Sequence, residues 1–367
     1  MIQGWLVVNH FVHAEKFEKL YEMIRESCER WGATLQIRTN VELMAEISEN
    51  CCGKWDEKRE REGKGEHEET CRREGKGERE ETCRHEGKGE HEETCRCEEK
   101  GEREETCGRE GKGEREETCG CEKPDFVLFW DKDLNLCRHL ENQGFRVFNS
   151  SYAIETCDDK NRTVLALEGH GIPMPRTIPA PKTFRPDAYP ETAFLKEVGR
   201  RLGFPLVVKE AFGSFGFQVH LAENEAKLAQ IVREIGTRPM QFQEFIPSER
   251  NGQAADVRLH VVGGAVVASV LRTAKNGDFR ANVTNGGTMR PYEASEAQKE
   301  LAVRVCEILK TDFAGVDLLF GKGGADEPIL CEANTNAHFK NLFDATGINV
   351  GDFIVRHVLK KIGKIPS

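Results

Sequence analysis

The sequence predicts a mixed α/β protein, on three observations. Short apolar, β-prone segments alternate with helical ones over the first 150 residues; strand-like segments follow one another from residue 241 onward; and a strictly periodic charged tract inside the first pattern lacks the residues to build a core. At 367 residues the chain exceeds the usual one-domain size, so two or three subdomains are expected.

Residues 5–8 are apolar and read as a strand, and residues 14–30 place Phe17, Leu20, Tyr21, Ile24 and Cys28 at helical spacing. Gly32 stops that helix, residues 34–37 read as a second strand and 41–47 as a second helix. The pattern resumes with a strand at 124–130, a helix at 133–143 and a strand at 145–149. Strands and helices alternating with short links imply a small parallel sheet. Next come a helix at 162–168, a turn at 169–175, a helix at 191–203 and a strand at 204–209. Strands at 241–246, 255–262, 265–271, 315–320 and 329–332 then read as antiparallel.

The charged tract consists of five copies of a twelve-residue unit, starting at Glu62, Glu74, Glu86, Glu98 and Glu110. A twelve-residue step turns about 120° on an α-helix, so the semi-apolar cysteine spirals round without forming a stripe. Paired glycines oppose helix further, and without aliphatic residues the copies cannot bury a core. The tract is expected to be a disordered insertion without a role of its own; a tether, a soft-metal-binding tract and a substrate presented in cis are the sharper alternatives. It holds 13 of the 53 basic and 21 of the 63 acidic residues, leaving 40 and 42 elsewhere. A body so near neutrality has no broad positive field for nucleic acid or an anionic membrane, and neither partner is expected.

Domain organisation follows. Residues 1–155 form an N-terminal parallel α/β domain interrupted over 56–122, 156–240 a central lobe and 241–367 a C-terminal lobe. No signal-peptide pattern opens the chain, and no apolar run nears the ~20 residues that span a bilayer. Seven of the 14 cysteines lie in the repeats and the rest show no Cys-x-x-Cys spacing, so a reducing cytoplasm is expected.

Three groups of residues carry chemistry. Lys160 follows a carboxylate pair, and Lys209 ends an apolar strand before the small loop Ala211-Phe212-Gly213-Ser214-Phe215-Gly216. Backbone N–H groups of such a loop and nearby ammonium groups suit a polyphosphate, a plain hairpin being the bland alternative. Asp317, Glu332 and Asn334 form the second group. Strand alternation sends Glu332 and Asn334 to one face, and two carboxylates with an amide oxygen are a hard donor set that suits magnesium. The alternative for Asp317 is a salt bridge to a nearby lysine. Third, Arg258 opens one strand two residues after Asp256, Arg272 ends the next, and Gly277-Asp278-Phe279-Arg280-Ala281-Asn282 follows. Arginine's planar fork suits carboxylate and phosphate oxygens, against the alternative, serious for Arg272, of a solvated surface side chain.

In this order, Lys160, Lys209 with its glycine loop, Gln243-Glu244-Phe245-Ile246, Asp256-x-Arg258, the run ending at Asn282 and the metal trio, the motifs resemble those of RimK-type ATP-grasp ligases from about Ser150 onward. The resemblance implies an ATP-grasp fold behind a pre-ATP-grasp α/β domain. It assigns Lys160, Lys209, Gly213, Ser214, Gly216, Gln243, Glu244, Phe245, Ile246 and Asp256 to ATP, with Glu244 to Ile246 as the hinge holding adenine. Arg280, Asn282 and Arg258 become catalytic, with Arg280 contacting the reacting phosphate, and Asp317, Glu332 and Asn334 hold two magnesium ions, manganese being the substitute. The continuation Asn334-Thr335-Asn336-Ala337-His338-Phe339 departs from the Ser-Pro-Gly turn of many relatives and looks more like the branch that adds glutamate to a deazaflavin coenzyme's polyglutamate tail.

The implied reaction is ATP-dependent joining of a carboxylate to an amine through an acyl phosphate, the amine being glutamate or another amino acid and the acceptor a peptide, protein or coenzyme tail. No cysteine and not His338 receives a catalytic role. The rivals are a non-catalytic nucleotide-binding scaffold that displays the repeat, and a ligase acting on its own repeat. A homo-oligomer is left open.

Overall fold

The structure is a computed structural model and describes residues 2–45, 47, 123–213, 216–275, 278–281 and 286–366. The repeats, Ser214, Gly277 and Asn282 lie outside the described residues. The fold below is that of the unit made of Met1–Cys51 and Lys123–Ser367.

Its first sheet is wholly parallel, in the order β2 (Ala33–Thr39), β1 (Ile2–Val8), β3 (Phe126–Phe129), β4 (Val147–Phe148), with α1 (Glu15–Arg30) and α2 (Leu134–Asn142) as links. The expected helix at 41–47 is absent over 41–45. Glu42 Oε2 accepts the Thr39 N–H at 3.0 Å and closes a turn, and of the apolar side chains there only Leu43 finds the core while Met44 stays exposed. The helices α3 (Ser151–Asp158) and α4 (Lys160–Leu167) follow, α3 running through the expected divide at 155/156.

The second sheet has the order β5 (Thr177–Pro179), β8 (Met240–Glu244), β6 (Leu206–Glu210), β7 (Val219–Ala222), backed by α5 (Phe194–Leu202) and α6 (Glu225–Ile235). β8 pairs with β5 and β6, so this sheet continues past the expected lobe boundary at 240/241. The third sheet is antiparallel, β12 (Thr288–Pro291), β11 (Ala265–Thr273), β10 (Gln253–Val262), β13 (Phe313–Gly321), β14 (Gly324–Asn334), with the short β9 (Glu249–Arg250) on β10.

Alternation sorts the third sheet's side chains. Val257, Leu259, Val261, Leu271, Val316 and Leu318 pack against Leu301, Ala302, Val305 and Leu309 of α7 (Glu296–Leu309). The opposite face is divided along its length. At one end Val262, Ala268, Val270 and Phe313 join a core with β1, β3, α1, α8 (Lys340–Thr346) and α9 (Val350–Lys361); at the other end the same face is charged. Among the described residues no helix is long and apolar enough to cross a membrane.

Candidate functional site

The charged end of that face forms the floor of a cleft of about 710 Å³. Register decides which groups meet. Arg258 stands opposite Asp317 and Asp317 opposite Glu332, while Asp256 stands opposite Arg272 on the other edge of β10. Asn334 lies two residues beyond Glu332, opposite Gly315. The result is a ladder of alternating charge: Arg258 grips Asp317 with two bonds of 2.6 Å, Arg272 grips Asp256 at 2.6 and 2.7 Å, and Arg272 Nη2 also reaches Asp317 Oδ2 at 2.8 Å. Asp317 and Arg272 are buried at 1% and 7% exposure. Arg272 is therefore no surface arginine, and the salt bridge weighed for Asp317 exists, made to two guanidiniums in place of a lysine.

Burial pushes the Asp256 carboxyl up to about 6, with Arg272 opposing it. Burial disfavours ionised Asp317 too, but Arg258 and Arg272 outweigh it and hold that carboxyl well below the ordinary range. Glu332 is the accessible member, about a third exposed, with Asn334 Nδ2 donating to its Oε1 at 3.1 Å and Arg258 Nη2 at 3.8 Å.

This donor set fits a hard divalent cation. Two carboxylates are cross-strand neighbours, an amide oxygen follows at the same face, one carboxylate opens to the cleft, and the other is kept ionised by its surroundings. Three carboxylates against two guanidiniums leave the floor one net negative charge. No group of three or more His, Cys, Asp or Glu side chains that could hold a metal occurs among the described residues.

Two lysines face this floor. The Lys209 side chain, 7% exposed, leaves β6 with Nζ 4.0 Å from Cys331 Sγ, and Lys160 starts α4 with Nζ 3.2 Å from the Gly213 carbonyl and 3.5 Å from that of Ala211. Neither makes an ion pair among the described residues. Burial lowers the Lys160 pKa, Glu332 opposes this, and the neighbouring Lys209 and Lys132 charges lower it further. Two neighbouring cations, Lys209 buried and Lys160 half-buried, call for an anion.

The loop between them is the tip of the β6–β7 hairpin, so the hairpin reading and the cradle reading describe one object. A Cβ on Gly213 would meet Gln218 Oε1 at 2.5 Å, and Gly216 has φ +74°, so glycine is needed at both. Arg280 lies over this loop, its Nη1 donating to the Gly216 carbonyl at 2.8 Å while Asp278 holds the guanidinium at 3.1 Å.

Gln243 and the three residues expected as the hinge, Glu244, Phe245 and Ile246, all line the cleft. Gln243 Nε2 donates to Thr177 Oγ1 at 3.0 Å, and the Glu244 carboxylate turns away to Arg176 Nε at 2.6 Å. That leaves Phe245 and Ile246 to present backbone and apolar surface to a planar ring. Asp256 also lines the cleft, but with its carboxylate taken up by Arg272. Of the expected site residues, every described one is thus in the cleft wall.

Sequence reasoning passed over three further residues there, Lys16, Asn336 and His338, which were given no role; Arg272, named in the basic group against the alternative of a solvated side chain, also lines the cleft. Asn336 and His338 reach the cleft because Gly315 lets the chain after β14 fold back: a Cβ on Gly315 would stand 2.4 Å from Ala337 Cβ. The small Ala337 between two polar residues two apart was the available signal.

A model of the RimK-like ATP-grasp domain matches residues 157–358. Beta-citrylglutamate synthase B of Danio rerio is 36% identical over 230 residues, 62% of this chain and 54% of that protein, so the chain spans about half the length of this relative. The probable alpha-L-glutamate ligase of Methanococcoides burtonii is 37% identical over 235 residues, 63% of this chain and 73% of that protein. Among solved structures, a RimK domain ATP-grasp protein from Sphaerobacter thermophilus superposes with a TM-score of 0.59 at 17% identity, covering 97% of this chain and 99% of the other. The family match runs through the lysines, the hairpin loop and the charged ladder alike, and on that ground the chain belongs to the RimK-like ATP-grasp family.

Proposed function

We propose that the chain is an ATP-dependent carboxylate–amine ligase that forms an amide bond through an acyl phosphate. The observation that carries this is the pairing of buried Lys209 and half-buried Lys160, neither with a carboxylate partner among the described residues, beside a glycine-dependent hairpin tip, with a carboxylate floor in the same cleft. Lys160 and Lys209 bind phosphate oxygens, Gly213 and Gly216 allow the backbone near them, and Phe245 and Ile246 hold the base. Asp256 acts as a positioning residue that fixes Arg272. Asp317, Glu332 and Asn334 would hold magnesium, two ions with manganese as substitute. When bound, magnesium neutralises oxygens of the triphosphate so that an anionic carboxylate can approach.

Arg258 and Arg280 both line the cleft. Arg280 is braced by Asp278 against the loop and adds charge where the transferred phosphoryl group leaves; Arg258 reaches the acceptor carboxylate as it attacks. The relatives' names point to glutamate as the amine and to an acidic acceptor. The free thiols of Cys28, Cys137, Cys157, Cys306 and Cys331 accord with a cytoplasmic place.

The test is ADP release with ATP, magnesium and L-glutamate against citrate, N-acetyl-L-aspartate and a glutamate-terminated peptide. Release that depends on both acid and amine is expected. Release indifferent to both, or none with any acid, would overturn the ligase reading.

A further inference from the structure

His338 stands on the cleft wall with one ring nitrogen committed and the other not. Its Nε2 lies 2.8 Å from the Lys16 backbone carbonyl, and a carbonyl oxygen only accepts, so Nε2 carries the proton. In the neutral ring Nδ1 is then a bare acceptor, and no hydrogen bond to it occurs among the described residues. The ring plane is set by Phe17, which meets it edge-on at a centroid distance of 5.5 Å. Asn336, two residues earlier on the same fold-back, donates Nδ2 to the Asp131 carbonyl at 3.0 Å and keeps a buried Oδ1 without a partner. Both residues line the cleft beside Asn334 and Arg258. Two acceptors on the cleft wall, His338 Nδ1 and Asn336 Oδ1, that no donor among the described residues satisfies suit a group rich in N–H.

Resting on the ligase reading, we propose that His338 Nδ1 is the base that deprotonates the incoming ammonium group, with Asn336 Oδ1 orienting it. An acyl phosphate is attacked by R–NH2, whereas an amino acid arrives as R–NH3⁺. One proton passes from the ammonium to His338 Nδ1; the amine nitrogen bonds to the acyl carbon; the C–O bond to phosphate breaks; and the second N–H proton leaves with the phosphate. Charge is conserved in the first transfer, since a positive charge moves from the amine to the ring. Hydrogen phosphate, the amide and one proton on His338 are the products.

The surroundings keep the ring ready to accept. Burial lowers the His338 pKa; its bond to Lys16 opposes this, and Lys16 of α1, Arg258 of β10 and Lys340 of α8 lower it further. Lys340 is itself paired to Asp344 at 2.6 Å, and His260, which packs edge-on against Phe339, is held neutral by burial, which pushes it to about 3. The sign follows: a base must be unprotonated, so amine transfer falls as pH drops through the His338 pKa, at a pH below the ordinary histidine value.

The test compares the full-length protein with His338→Gln, whose side-chain amide can still donate to the Lys16 carbonyl. ATP, magnesium and the same three acceptors are supplied with either L-glutamate or hydroxylamine, which is already unprotonated at neutral pH and needs no base. Hydroxamate formation should stay near the wild-type rate in the variant, while transfer to glutamate falls by roughly 10²–10⁴-fold in kcat, with the acidic limb of the profile lost. His338→Ala should regain glutamate transfer with added imidazole. Equal loss with both nucleophiles, or equal retention, overturns the base assignment alone; melting curves of both variants report folding. If the wild-type chain forms neither hydroxamate nor a glutamyl product, the ligase reading falls and this one with it.

Discussion

Replacing Glu332 by glutamine separates the chemistry of the floor from its stability. The carboxylate is about a third exposed and holds Asn334 Nδ2 at 3.1 Å and Arg258 only at 3.8 Å. A glutamine keeps the shape and one acceptor oxygen, so the melting free energy should change by less than about 1 kcal/mol. The cost to function is larger, because an anionic hard ligand becomes a neutral one at the point where triphosphate charge must be offset. Charge stabilisation of that kind is worth several kcal/mol; a loss of ~3–4 kcal/mol corresponds to roughly a 10²–10³-fold slower reaction, at about 1.4 kcal/mol per decade. Acid-dependent ADP release across a magnesium series, with a urea melt of the same preparation, reads both quantities. A rate within threefold of wild type at every magnesium concentration would refute the metal-ligand assignment. The contrast is Asp317→Asn, which leaves buried Arg272 and partly buried Arg258 short of a carboxylate and should cost about 3–5 kcal/mol of stability besides the activity.

Arg272→Met should destabilise the fold by about 3–5 kcal/mol in urea melts, and adding Asp256→Asn should recover much of it, since the stranded carboxylate is then gone. The deficit of Arg272→Met should grow with pH: a carboxyl whose folded pKa is raised, as Asp256 already is at about 6, costs nothing below its unfolded value and its full amount above its folded one, so melts at pH 8 should show more loss than melts at pH 4. Lys209→Met should raise the ATP KM by one or two decades yet leave the apo melt equal or higher, because a buried ammonium without a carboxylate is itself unfavourable. Deleting residues 62–121 should leave ADP release per site unchanged, and intact-mass measurement with ATP and glutamate should detect any glutamate added to the repeat in the uncut chain.

The readable parts of this protein are those where one local rule suffices. Alternation of strand and helix predicted the parallel sheet at residues 5–8, 34–37, 124–130 and 145–149; the central β1 and β3 are apolar on both faces, while the edge strand β2 buries only alternate residues. The helix expected at 41–47 fails because its apolar spacing was not matched by anything to pack on. Helices α6 to α9 were passed over although α7 begins with a full capping box, Ser295 Oγ with the Gln298 N–H and Gln298 Oε1 with the Ser295 N–H. The site shows the same division. Residue chemistry pointed to Lys209, Asp317 and Glu332 one at a time, but which carboxylate faces which guanidinium is a matter of register, and the β10–β13 and β10–β11 pairings join residues about 60 and 16 positions apart. Asn336 and His338 were hidden for another reason: they enter the cleft through a fold-back that depends on Gly315, on a different strand.

Register also explains how the floor can be built before any ligand arrives. A carboxylate buried to 1% would ordinarily take up a proton, and a protonated Asp317 is a poor ligand for a cation. Arg258 and Arg272 prevent this from either side, and Asp256 keeps Arg272 in place from the far edge of β10. The guanidiniums thus hold Asp317 ionised and oriented, and in the proposed site Glu332, open to the cleft, would complete the donor set. With Lys160 and Lys209 added, three carboxylates face four cations, an excess of one positive charge against a triphosphate that carries several negative ones. Protein side chains alone leave that anion undercompensated, so binding of nucleotide and divalent cation should be mutually dependent. Titrating a nonhydrolysable ATP analogue with and without magnesium should show affinities that differ by at least about tenfold, and by the same factor when the order of titration is reversed.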